Sequence, residues 1–366
     1  MNIAKIVRQN LSSLRDYVPG KPIEEVQREY GIKDVIKLAS NENPNGASPK
    51  AVQAMMNEIQ NQANFYPDGN CFALVQKLAK KHQVSDTQIF VESGLDGVIT
   101  LLGSAFVEPQ DEVIISLYSF PVYESMVTKM DAKSVMIDQT ADFRIDIESI
   151  AKAITPQTKM ICLCNPNNPT GTIYTREVFE SLLAIVPEDV LIISDEAYYE
   201  FADDATYPQS MQYLEKYPNL IILRTFSKVY GLASVRVGYA IGHADLIGAL
   251  LKVREAFAVN RMAQVGASAA LDDDAFVQKT LEANRAGRQK YYEAFERLKI
   301  KYYPSQTNFI FFEVSGSGME VYQAMLKQGV IIRPLASQGL PHHLRISIGT
   351  SAQNNRAIAA LEKALI

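Results

Sequence analysis

The sequence predicts an α/β fold: a large domain with a mostly parallel, seven-stranded sheet sandwiched by helices, then a small α+β C-terminal domain. Three observations carry that prediction. Between about residues 88 and 242, seven short apolar runs (QIFV, EVIIS, SVMI, KMICLC, VLIIS, LIILR and GYAIG) recur, most of them separated by one amphipathic segment. Strands and helices alternating in this rhythm build a parallel sheet covered on both faces. After a long helical stretch at about 270–298 the pattern changes to closely spaced strands, as expected of a second, smaller unit. Hydrophobic residues make up 47% of the 366 positions, enough for a large buried core.

Taken in chain order, the first forty residues contain Pro19, Pro22 and the helical EEVQREYG. They are expected to form an N-terminal arm, residues 1–40, packed on another element. Residues 41–270 would form the large domain. In a parallel sheet functional groups gather at strand C-terminal ends, and three of the seven runs end in polar clusters. These are Asn165-Pro166-Asn167-Asn168 after KMICLC, Ser194-Asp195-Glu196 after VLIIS, and Thr225-Phe226-Ser227-Lys228 after LIILR. One crevice is expected to collect all three. Residues 271–366, entered through the helix at about 270–298, would form the small domain. It comprises strand NFIFFEV, helix MEVYQAMLKQ, strands VIIRP and LRISIG, and a last helix from about Gln353. No internal repeat or low-complexity tract interrupts this order.

Composition removes several classes of function. The net charge is -5 and no cluster of Lys and Arg is interleaved with aromatics, so nucleic acid is not an expected partner. Cys71, Cys162 and Cys164 are odd in number, sit among apolar neighbours and form no CxxC pair, which fits a reducing cytoplasm. The N-terminal MNIAKIVRQNLSSL has no continuous apolar core. Nor does any segment approach the ~18 uninterrupted apolar residues of a membrane span, so secretion and membrane insertion are not expected. His82, His243, His342 and His343 lack zinc-ligand spacing, and no metal site is expected.

A crevice holding Asn168, Asp195, Lys228 and Arg236 suits one kind of ligand. A lysine held near other cations and out of bulk water becomes a nucleophilic amine, able to form a Schiff base with a carbonyl. An aspartate at a strand end can pair with a cation such as a pyridinium nitrogen. Arg236, the hydroxyls of Thr225 and Ser227, and the helix-start amides at Ser93-Gly94-Leu95-Asp96-Gly97 would make an anion cradle. Aldehyde, pyridine nitrogen and phosphate together describe pyridoxal 5'-phosphate.

At this point the chain resembles a known family. NPNNPTG (Asn165–Gly171), SDEAYYEF (Ser194–Phe201) and TFSKVYGLASVRVGY (Thr225–Tyr239) resemble the three signatures of the class I and II, fold-type I aminotransferases, in the same order. LRDYVPGKPIEEVQREYG (Leu14–Gly31), KLASNENPNGASP (Lys37–Pro49) and YPDG (Tyr66–Gly69) are similar to segments of the histidinol-phosphate aminotransferases. The resemblance runs from about residue 14 to LRISIGT at Leu344–Thr350.

The resemblance implies Lys228 as the Schiff-base lysine and proton carrier, with Asp195 paired to the pyridine nitrogen. Tyr198 and Asn168 would hydrogen-bond the ring oxygen, and Phe120 would stack on the ring. Phosphate would be held by Arg236, Thr225, Ser227 and the amides at Gly94, Leu95 and Asp96. Tyr66 would reach the cofactor of a neighbouring subunit, making a homodimer with shared active sites. Tyr17, Asn41, Arg333 and Arg345 would face substrate, Arg345 gripping the anionic end of every substrate and Arg333 adding charge for a phosphate. A phosphate monoester is close to a dianion near neutral pH, so two arginines favour histidinol phosphate, with imidazole acetol phosphate, 2-oxoglutarate and glutamate completing the reaction.

The rival readings are an aromatic amino acid aminotransferase, a phosphothreonine decarboxylase and a non-catalytic pyridoxal-phosphate-binding regulator. The chain departs from the family pattern in three places. Gly94-Leu95-Asp96-Gly97 replaces Gly-Ser/Ala-Asp-Glu, Tyr118 replaces a common proline, and Ser234 replaces a frequent glycine. Loss of the helix-starting glutamate at Gly97 is expected to loosen that helix start.

Overall fold

The computed structural model describes residues 6–14 and 20–366. Its strands are β1 (Ile36–Lys37), β2 (Ile89–Glu92), β3 (Glu112–Ser116), β4 (Lys133–Ile137), β5 (Thr158–Cys164), β6 (Leu191–Asp195) and β7 (Leu220–Thr225). After β8 (Gly238–Ile241) come β9 (Lys301–Tyr302), β10 (Phe309–Glu313), β11 (Val330–Ile331), β12 (Arg333–Pro334) and β13 (His343–Ser347). The seven apolar runs become one seven-stranded sheet in the order β2-β8-β7-β6-β5-β3-β4. Pairing is parallel from β4 through β7, and β8 runs antiparallel to both of its neighbours.

That topology positions the site. β5, β6 and β7 all end at one edge of the sheet. Because β8 is reversed, its first residue lies at the same edge, with Gly238 opposite both Thr225 and Glu92. Five segments therefore converge: residues 93–96, 165–168, 195–198, 225–228 and Arg236. The chain order reverses between β3 and β5, where open α/β sheets form a ligand crevice.

Successive side chains on a strand point to opposite faces, and the two cores follow this alternation. Ile114, Ile161, Ile192 and Ile222 enter one buried cluster. Their neighbours Val113, Met160, Ile193 and Ile221 enter the other. A continuous apolar run is what a strand buried on both faces requires.

The C-terminal part has its own core, in which the helix Asp274–Leu298 contributes Tyr291 and Phe295, against Ile310, Phe312, Leu344 and Ile346 of the sheet β12-β13-β10-β9. The run VIIRP, expected as one strand, forms two. Val330–Ile331 pairs in parallel with Ile36–Lys37, whereas Arg333–Pro334 pairs antiparallel with β13. Ile332 between them is buried in the core, and the proline, which has no N–H to donate, lies on the outermost strand of its sheet. The described part of the N-terminal segment packs here too. Val26 of the helix Ile23–Tyr30 is fully buried against Ala39, Leu326 and Ile331.

Candidate active site

The converging segments enclose a cavity of ≈ 320 Å³. Asn168, Asp195, Tyr198, Lys228 and Arg236 line it, together with Leu95, Asp96, Phe120, Thr225 and Ser227. Asn41, Arg333 and Arg345 line it from the C-terminal side. Of the residues singled out from sequence, Gly94 lies against the cavity through Arg236, Tyr66 does not line it, and Tyr17 lies outside the described residues.

One end is built to receive an anion. The helix Gly94–Phe106 begins without a side-chain cap, so its first N–H groups are left for a ligand, and a helix N-terminus favours negative charge. Gly94 has φ 78°, and a Cβ there would overlap the Arg236 guanidinium. Glycine is what allows the cation to lie on the helix start. Arg236, itself in the left-handed region at φ 58°, donates to Asp96 Oδ2 at 3.4 Å. Thr225 Oγ1 accepts from the N–H of Ser227 at 3.1 Å, fixing the turn that presents both hydroxyls.

Gly97 does not leave the helix start loose. A Cβ there would lie 2.9 Å from Glu92 Cγ, so Glu92 occupies the space, its Oε1 accepting the Ser93 N–H at 2.7 Å. A carboxylate at the helix N-terminus is supplied from β2.

In the middle, Lys228 follows β7 on a loop braced by the NENPNG segment. Asn43 Nδ2 donates to the carbonyl of Val229 at 2.8 Å. Gly231, at φ 70°, meets Gly46 so closely that any Cβ would collide with the backbone there. The half-buried Lys228 Nζ lies 5.4 Å from the centre of the Tyr198 ring. Tyr198 OH accepts from Asn41 Nδ2 at 3.0 Å, leaving its own proton to donate.

Asp195 lies deepest, 5% exposed. Burial pushes its carboxyl up to about 6, while hydrogen bonds from Tyr123 and the Ala197 N–H pull the other way. Among the described residues its partners are neutral: Tyr123 OH at 2.9 Å, the Ala197 N–H at 3.1 Å and Cys164 Sγ at 3.9 Å. A buried carboxylate held by neutral groups is costly unless a ligand brings it a cation.

The opposite end carries the arginines. Arg345 on β13 is 8% exposed; its Nη1 donates to Asn168 Oδ1 at 2.6 Å and its Nη2 to the Ala39 carbonyl at 2.7 Å. Arg333 on β12 is its direct cross-strand partner. Asn168 thus spends its oxygen on Arg345, and its NH2 retains two donor hydrogens.

Residues 33–361 match the family described as aminotransferase class I and II. The chain belongs to this family. Its relatives include aminotransferases similar over almost the whole length. It is 44% identical over 359 residues to histidinol-phosphate aminotransferase of Moorella thermoacetica, covering 98% of this chain and 92% of that one. It is 42% identical over 361 residues to the enzyme of the same name from Geobacillus thermodenitrificans, covering 98% of each. The crystal structure of histidinol-phosphate aminotransferase from Sinorhizobium meliloti in complex with pyridoxal-5'-phosphate is similar at TM-score 0.89 and 27% identity. That match covers 98% of this chain and 97% of the other.

This aminotransferase also has functional-site features that motif reading missed. Tyr123 sits one helical turn beyond Phe120, and its spacing in YSFPVY was the available signal. Ser119, Cys164 and Gln338 line the cavity as well. Glu196, adjacent to Asp195, points away from the cavity to a buried ion pair. Arg224 Nη2 and Nε reach its Oε2 at 2.8 and 2.9 Å, and the guanidinium lies 3.8 Å over the Tyr199 ring.

Proposed function

We propose that this aminotransferase is a pyridoxal-phosphate enzyme that transfers the amino group between histidinol phosphate and 2-oxoglutarate in histidine biosynthesis. The cofactor fits the residues present. Arg236, the helix start at Gly94–Asp96 and the hydroxyls of Thr225 and Ser227 would hold its phosphate. Asp195 would hold the ring nitrogen, Tyr198 and Asn168 the ring oxygen, and Phe120 the ring face. Pyridoxal phosphate supplies an aldehyde for an amine and a ring that takes up the electron pair left when the substrate α-proton departs.

The chain supplies the rest. Lys228 Nζ would hold the aldehyde end of the cofactor and, as a free amine, would carry the proton at the substrate α-carbon. Asp195 would hold positive charge on the ring nitrogen, and Tyr198 would donate from its phenol, whose oxygen accepts from Asn41. Asn41 is itself pinned, its N–H donating to Ser347 Oγ at 2.9 Å. Arg345, held by Asn168 and Ala39, grips the anionic end of the substrate.

The observation that carries the substrate reading is the cross-strand pairing of Arg333 with Arg345 at one cavity wall. One guanidinium matches a carboxylate, whereas a phosphate ester near two negative charges favours two. Arg333→Leu is expected to lower kcat/KM for histidinol phosphate by roughly a hundredfold, the scale of one lost charge-assisted contact in a desolvated site. Phenylalanine should lose far less. Arg345→Leu should impair every donor. Steady-state kinetics with both donors tests this: equal losses across donors for Arg333→Leu would overturn the phosphate-clamp role, and little effect on either donor with poor wild-type turnover of histidinol phosphate would favour an aromatic aminotransferase.

The enzyme is further proposed to be a cytoplasmic homodimer with shared sites. Among the described residues no helix is long and apolar enough to cross a membrane. Tyr66 is 78% exposed and stacks on Phe257, itself about half exposed. Exposed Met56, Ile59, Phe65 and Phe72 come from the same segments, and a monomer seldom leaves so much apolar surface in water. Closed two-fold dimers are the commonest solution. Mixing Lys228→Ala with Tyr66→Ala protein is expected to restore part of the activity through hybrid dimers, and a fully active monomer by light scattering would contradict it. The division into residues 1–40, 41–270 and 271–366 is part of the same proposal, supported by the separate core of the C-terminal sheet.

A further inference from the structure

We infer that Tyr123 is a positioning residue for the reaction: its phenol holds Asp195 in one orientation and keeps that carboxylate ionised against the ring nitrogen. This rests on the proposed role of Asp195. The geometry singles Tyr123 out. It is wholly buried, its OH donates to Asp195 Oδ2 at 2.9 Å, and Oδ1 is already taken by the Ala197 N–H at 3.1 Å. Both oxygens are thereby fixed, one from the strand's own continuation and one from the helix Val122–Lys129.

Tyr123 and Phe120 belong to the same short segment. That segment would therefore supply both the residue that covers the ring face and the one that orients the carboxylate.

The groups facing Asp195 leave Tyr123 as its main side-chain support. Cys164 Sγ approaches Oδ2 at 3.9 Å, but its own contact with Ser119 Oγ at 3.1 Å fixes it sideways. Asp96 and Glu196 act at longer range and push the Asp195 carboxyl up, adding to burial. Lys228 shares the cavity. Burial also pushes the Tyr123 phenol well above its ordinary range, so it stays a donor wherever the enzyme works. A donor to the charged form favours ionisation. Removing it must raise Asp195 further, toward neutral pH, where the carboxylate would lose its charge.

The test is Tyr123→Phe, which deletes one oxygen and keeps the ring that fills the core. The acid limb of kcat/KM is expected to move up by about one pH unit, so that the loss approaches about tenfold below pH 6, is only about twofold at pH 7 and vanishes at higher pH. The apoprotein should bind pyridoxal phosphate more weakly at pH 7, read by titration of its absorption, and recover at alkaline pH. In an Asp195→Asn background the same change should have almost no further effect, because partners acting as a unit are not additive. A uniform loss at all pH values with an unmoved acid limb, or an undiminished effect in the Asp195→Asn background, would overturn the assignment. The Asp195→Asn single variant separates this from failure of the underlying reading. If that variant alone is nearly fully active, the role of Asp195 falls, whatever Tyr123→Phe does.

Discussion

Lys228→Ala is expected to lower turnover by roughly five to six orders of magnitude, the scale on which loss of a nucleophile is felt, while cofactor remains bound. The two outcomes belong together because the lysine and the phosphate cradle are separate parts of the cavity. Arg236, Thr225, Ser227 and the uncapped helix start at Gly94 stay in place when the Lys228 side chain is removed. Asn43 and Gly231 brace the backbone of the lysine loop, not its amine, so the variant should fold normally. Lys228→Arg is the sharper control. It keeps a cation near the Tyr198 ring, where Lys228 Nζ lies 5.4 Å from the centre, but a guanidinium cannot be deprotonated to act as nucleophile or base. It too should be inactive. Borohydride treatment of wild type followed by peptide mapping should leave the cofactor attached at Lys228, and attachment at another lysine, or none, would remove Lys228 from its proposed role.

The parts of this site that were legible in the sequence are those written as abrupt changes of character. Apolar runs that end in NPNN, SDE and TFSK mark strand ends, and a parallel sheet must bring such ends to one edge. Contacts made across the fold left weaker traces. Tyr123 reads as one more apolar position of a helix, because helical spacing records that a side chain is buried and not what its oxygen touches. Arg224 closes an apolar run and looks like a solvated strand end, yet it is 6% exposed and forks onto Glu196. Asp195 and Glu196 are adjacent in one polar cluster, yet the first lines the cavity and the second turns away to Arg224. The break in VIIRP was hidden because its two halves are each two residues long and choose partners almost 300 and about ten residues away. The loosening expected from Gly97 was misjudged for the same reason: Glu92 lies five residues earlier but occupies the space beside it.

Asp195→Asn is expected to cost a thousandfold or more in turnover, on the order seen when an electrostatic partner of developing charge is removed, and to stabilise the apoprotein at the same time. The substitution keeps shape. With the amide oxygen in the place of Oδ1 the Ala197 N–H still donates to it, and the NH2 in the place of Oδ2 donates to the Tyr123 oxygen, which can accept, so orientation survives and the charge is lost. The stability change follows from the direction in which the carboxyl is displaced. Burial raises Asp195 from 3.8 to about 6 in the folded protein. The folded state therefore holds a proton that the unfolded state has given up between those values, and the associated stability is fully present below about pH 4 and lost as pH rises through about 6. A displacement of that size corresponds to on the order of 3 kcal/mol. Asparagine has no such dependence. The gap in melting temperature between the variant and wild-type apoproteins should open from pH 4 to 6 and then stay constant, whereas added pyridoxal phosphate should stabilise wild type more. An aspartate serving only to hold the fold together predicts the reverse sign, a less stable variant at pH 8 with nearly normal turnover once loaded. Melting curves of both apoproteins across pH 4 to 8, set beside steady-state rates, decide between a carboxylate buried for stability and one kept ionised, at a cost, for the charge it must hold.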